Sequence, residues 1–168
     1  MGTGLKLMNE LSSKLRDLGI EPGNLEVFQI ICLPENVFTF SSPSEVYEPA
    51  EATDLVKRLK ERGLRSASLY ELGFEASTLS RRSDEKWLGV IWVRDKVAIP
   101  VLTGVLSALI ATAITNASQK SDSGKSIEIA KDKVHVELYI ENGEDVTSLK
   151  YKGDGENLLR VLEALQEK

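Results

Sequence analysis

The single histidine of this chain, His135, stands two residues before Glu137 and four before Tyr139 in the run VHVELYI. Alternate residues of a strand share a face, so the imidazole, the carboxylate and the phenol would form one row. A histidine beside a carboxylate is a common general-base arrangement, and this row is the one candidate for a small hydrolase or nuclease. Alternation on a half-exposed strand yields the same row with no chemistry attached, and that plainer reading is the one adopted. A Ser-His-Asp enzyme would have to recruit His135, yet no Gly-x-Ser-x-Gly elbow occurs. Cys32, the only cysteine, lies in an apolar run and reads as a small core residue. One His and one Cys cannot make a structural zinc site within one chain, and neither glycine-rich phosphate cradle is present. Glu45, Glu48 and Glu51 sit in a proline-containing loop and helix start, where acidic residues suit the helix dipole. No catalytic residue, no metal ligand and no cofactor is assigned.

The stronger candidate is a segment without charge. Residues 97–117 contain no Asp, Glu, Lys or Arg, with Arg94 and Lys96 before them and Lys120 and Lys125 after. That length meets the threshold for a bilayer span, so membrane insertion is an alternative reading. Pro100, Thr103, Gly104, Ser107, Thr112, Thr115 and Asn116 weaken it. Projected on a helix, Leu102, Val105, Leu106, Leu109, Ile110 and Ala113 gather on one side. Gly104, Ser107, Ala108, Ala111 and Thr115 gather on the other. A lipid-facing helix has no reason to segregate size in this way, whereas a helix in water buries its large face and offers the small one to a second element. The small set permits close backbone approach and is the candidate interface.

The elements that must position these groups follow from periodicity. Leu5, Met8, Leu11, Leu15 and Leu18 form a helical stripe that Gly19 ends, and residues 21–24 make a turn. Residues 25–33 read as a strand with apolar side chains on both faces, and 37–40 as a short one. Residues 41–49 form a loop. The 50–62 segment is helical with Ala52, Leu55, Val56 and Leu59 inward and Gly63 as its stop. Residues 64–80 read either as a strand near 67–69 followed by a loop or as a broken helix; a turn is expected over 81–86 and a buried strand at 87–93. Residues 118–126 form a polar connector, followed by strand residues at 127–129, a turn at 131–132 and strand 134–140. Asn142-Gly143 marks a hairpin turn. The pairing expected around it sets Val136 opposite Leu149, Val134 opposite Tyr151 and His135 opposite Lys150 on an outward face. A last helix, 156–167, turns Leu158, Leu159, Leu162 and Leu165 inward.

Four helices and five to seven strands in mixed order give an α/β (α+β) class, a mixed β-sheet with helices packed on it. One domain over 1–168 is expected, divisible into a βαβ-like half, 1–94, and a half of apolar helix, hairpin and terminal helix, 97–168. Strands 25–33 and 87–93 are expected as central neighbours, with helix 50–62 making a parallel crossover between them.

Composition narrows the function classes. A net charge of −5 argues against a nucleic-acid-binding protein. The basic residues Lys57, Arg58, Lys60 and Arg62 are interleaved with Glu61 and read as a solvated helix face. A single cysteine and an N-terminus without a signal-peptide pattern point to the cytoplasm, with membrane association through 97–117 as the complication.

From Val97 onward the order is an apolar helix rich in small residues, a polar linker, the hairpin VHVELYIENGEDVTSLKY and the Leu-rich helix GENLLRVLEAL. This half resembles the small bacterial accessory proteins described as effector-associated constant components, predicted parts of antiphage-type conflict systems. The resemblance implies a non-enzymatic partner that couples an effector to a sensor, and it carries no site residues over. The functional expectation is an adaptor subunit that self-associates or binds a protein partner through the small face of helix 97–117. The alternatives are a membrane-directed effector using the same helix, and a small hydrolase or nuclease using His135 and Glu137.

Overall fold

Stop signals set the element ends. A computed structural model describes residues 2–49, 51–79, 85–120, 133–143 and 145–166, with side chains placed at 4–49, 51–78, 87–109, 133–143 and 145–164. Helix α1, Gly2–Asp17, closes where Gly19 adopts φ 80° and the amides of Gly19 and Ile20 bond back to Arg16 O and Leu15 O. Helix α2, Glu51–Glu61, ends the same way at Gly63, with Leu64 N bonded to Leu59 O. Both ends satisfy carbonyls that a helix terminus otherwise leaves open.

Between them the chain forms β1, Ile30–Leu33, and β2, Tyr47–Pro49. Beyond α2 come β3, Ser66–Ser68, β4, Ser77–Leu79, and β5, Glu85–Val93. Helix α3, Ile99–Lys120, then leads to β6, Lys133–Asn142, β7, Asp145–Asp154, and α4, Gly155–Gln166. Asp154 caps α4 by accepting from Asn157 N at 2.8 Å.

Five strands make one mixed sheet in the order β3-β1-β5-β6-β7, and β2 pairs β4 in a separate parallel ribbon. The fold is α+β, as expected. Strands β1 and β5 are central neighbours, but they run antiparallel. The parallel partner of β1 is β3, so α2 crosses to the sheet edge rather than to β5. A second parallel pair, β5 and β6, is bridged by α3.

Two layers cover the sheet. Leu55 and Leu59 of α2, Leu102, Val105 and Leu106 of α3, and Leu158 and Leu162 of α4 pack on Ile30, Cys32, Ile91, Val136 and Leu138. On the opposite face, Leu11 and Leu15 of α1 with Val37, Phe40 and Leu69 from turns cover Ile31, Leu33, Val90, Trp92 and Tyr139. Cys32 is core, as its apolar setting implies, and burial with the nearby Glu48 and Glu71 pushes its thiol up to about 12.

Several expectations are corrected. The strand proposed for 25–33 splits into a 3-10 turn, Pro22–Val27, and the short β1. Pro22 opens that turn, and Val27 is 61% exposed, so the apolar run does not lie on a single sheet. Residues 37–40 form turns, with Val37 N bonded to Pro34 O and Phe40 N to Asn36 O. Their apolar side chains fill the second core from a loop rather than a strand. Residues 96–98 form a 3-10 turn before α3, whose helix runs on through Lys120, past the start expected for the connector. Leu5 is 56% exposed although it belongs to the α1 stripe. The turn expected over 81–86 is strand at its end, because β5 begins at Glu85. Residues 81–84, 127–129 and 131–132, and the side chains of Ile110, Ala113 and Leu165, lie outside what is described.

Candidate functional site

A concavity lies where the end of β1 meets the first halves of β5 and β6. It is an open cleft of about 400 Å³ whose walls include Glu35, Tyr47, Trp87, His135, Glu137 and Lys152. An irregularity in β5 shapes it. Trp87 pairs with His135 and Val90 with Glu137, so two residues of β5, Leu88 and Gly89, oppose the single Val136 of β6. This bulge allows Trp87 and Val90 to face the same side of the sheet although three positions separate them. Gly89 carries φ 75°, and a Cβ there would stand 2.8 Å from Leu33 O and 3.0 Å from Pro49 Cγ. Only glycine meets both the backbone angle and the close approach.

Two cross-strand rows run over the cleft floor. In the first, Trp87 of β5 pairs with His135 of β6 and His135 with Lys152 of β7. The indole and imidazole stack with centroids 4.1 Å apart and planes 11° from parallel. In the second, Glu137 pairs with Lys150, and their side chains form an ion pair at 3.4 Å. The loop after β1 closes one side, held by Asn36 Nδ2 donating to Glu45 O at 3.0 Å.

The expected row of His135, Glu137 and Tyr139 does share one sheet face, but that face is not the outward one. His135 is 8% exposed and Tyr139 4%. Tyr139 stacks on Trp92 at 5.2 Å in the second core, and its burial, with Glu137 and Glu10 nearby, pushes its phenol up to about 12. The structure therefore places His135 and Glu137 at the cleft and Tyr139 in the core. The hairpin register also differs: His135 lies opposite Lys152, Val136 opposite Tyr151 and Val134 opposite Gly153. Asn142 pairs with Asp145, so Gly143, at φ 69°, is the first residue of the two-residue loop rather than the second. A shift of two keeps each side chain on its face, so the grouping of residues by face holds although the face carrying His135 is covered rather than outward.

Sequence reasoning missed Glu35, Trp87, Gly89 and Lys152 as neighbours of His135. A lone glycine inside an apolar strand run was the available signal for the bulge. Glu48, read above as a helix-start acid, is instead a buried strand residue that accepts from Leu69 N at 3.2 Å. Burial raises its carboxyl above the usual range, and the Leu69 bond opposes that shift. Among the described residues no group of three or more His, Cys, Asp and Glu could hold a metal ion.

The other candidate surface is α3. Leu102, Val105 and Leu106 are buried in the first core, and Leu109 packs against it. Gly104 is exposed, and nothing lies within 4 Å of where its Cβ would stand. Ser107 and Ala108 are half-buried. Thr103 Oγ1 donates to Ile99 O at 3.0 Å and Ser107 Oγ to Thr103 O at 2.8 Å, so both hydroxyls are satisfied within the helix. Ala111 and Thr115 lie on the helix, while their side chains fall outside the described set. Among the described residues no helix is long and apolar enough to cross a membrane. Set against family models, curated protein sequences and solved structures, the chain matches none of them.

Proposed function

We propose that this chain is a non-enzymatic interaction or adaptor subunit of the cytoplasm that self-associates or binds a protein partner through the small-residue face of α3. The observation that carries the reading is the open, exposed Gly104 on a helix whose Leu102, Val105 and Leu106 are committed to the core. A helix face turned to water ordinarily carries charge, and this one has none from Val97 to Ala117. The Ser107 hydroxyl bonds to its own helix at Thr103 O, which favours a neutral strip suited to close backbone approach. The resemblance of 97–168 to effector-associated constant components supports the same reading, because it implies a coupling subunit rather than a catalyst. The membrane-directed alternative has less support, since the small polar residues dilute the apolar character of α3.

Sedimentation velocity on the wild type, Gly104→Ala and Ala108→Leu tests the proposal. Gly104→Ala fills open space in a helix interior and should raise stability by about 0.5–1 kcal/mol. Ala108→Leu should leave the fold intact while reducing the oligomer or the complex with a co-purified partner, since added bulk holds two backbones apart. A wild type that sediments as a monomer, purifies alone and loses stability on Ala108→Leu would refute the interface.

A further inference from the structure

We infer that the cleft beside the Gly89 bulge binds a small planar heteroaromatic ligand with one anionic group, the chemistry shared by nucleoside monophosphates and heteroaromatic carboxylates. Its volume of about 400 Å³ falls in the range of small-ligand sites, roughly 300–1,000 Å³. Tyr47 and the half-buried Trp87 are among the aromatic residues lining the cleft and offer ring surface to a flat ligand. The charges select among flat ligands. Lys150 is engaged by Glu137 at 3.4 Å, whereas Lys152 makes no ion pair or side-chain hydrogen bond among the described residues. One ammonium is thus available to one anionic group. Glu35, Glu137, Lys150 and Lys152 sum to zero, so the cleft has no net field to attract a polyanion. The site is separate from the α3 face, which lies on the opposite side of the sheet with the first core.

His135 reports on this cleft directly. It is the only histidine, so its ring protons give unique proton NMR signals. The probes are adenosine monophosphate, nicotinate and, as a ringless control, inorganic phosphate, each titrated into the full chain at neutral pH. A saturable shift of the His135 signals with a dissociation constant below about 1 mM is expected for at least one ring-bearing probe. Which of the two saturates distinguishes the phosphate from the carboxylate source. Lys152→Met, which keeps the apolar stem on an exposed strand position, should weaken that binding about tenfold by removing a charge-assisted contact. Circular dichroism shows that the variant is folded, and Lys152→Gln replaces it if it is not. Absence of saturation with both ring-bearing probes overturns the proposal. So does an equal response to inorganic phosphate, or affinity unchanged in the lysine variant.

Discussion

Trp87 and His135 stack face to face, 4.1 Å between ring centroids and 11° from parallel, across the β5–β6 pair. A histidine in this position has exchanged water for an aromatic neighbour, and its exposure of 8% places it among the buried polar residues. The same two residues line the cleft.

Replacing His135 with Ala removes the stack and leaves a gap under the cleft. We expect a loss of about 1–3 kcal/mol, read by urea denaturation, because aromatic pairing adds to the lost burial. Lys152→Ala, at an exposed position of the same row, should stay within about 0.5 kcal/mol of the wild type. A neutral His135→Ala would show that the stack does not persist in solution.

Gly89 is expected to be intolerant of any side chain. Gly89→Ala should cost at least about 2 kcal/mol, since strain at φ 75° is joined by a clash with Leu33 O. Gly19→Ala shares the positive φ but has open space around its Cβ, so it should cost only about 1 kcal/mol. Comparable thermal shifts for the two variants would mean that the Leu33 and Pro49 contacts relax freely.

Glu48 couples stability to pH with a definite sign. Its folded-state carboxyl is raised above the ordinary value by burial, so the folded chain binds that proton more tightly than the unfolded chain. Its contribution is fully favourable below the unfolded value and is lost as pH rises through the folded one. Glu48→Gln keeps an acceptor for Leu69 N and removes the charge. It should therefore stabilise the protein at pH 7, with the gain shrinking as the pH approaches 4. A variant less stable than the wild type at pH 7 would show that the ionised carboxylate is the favoured form.

Periodicity and turn chemistry act over a few residues, and what depends on them was legible in the chain. Gly19 and Gly63 end helices because only a left-handed residue closes those carbonyls, and the Leu102-Val105-Leu106 face is inward because its spacing matches a helical turn. The alternation from Val134 to Ile140 likewise determined which residues share a face. What covers each face was decided only in three dimensions. His135 and Tyr139 alternate as a surface row would, yet they are buried. Residues remote in sequence supply the cover: α1, the turn at 37–40 and Trp87, which the Gly89 bulge brings into line with His135. Strand direction was lost for the same reason. Either neighbour of β1 satisfies its two apolar faces, and the hydrogen-bond pattern that makes β3 parallel and β5 antiparallel is a property of the assembled sheet.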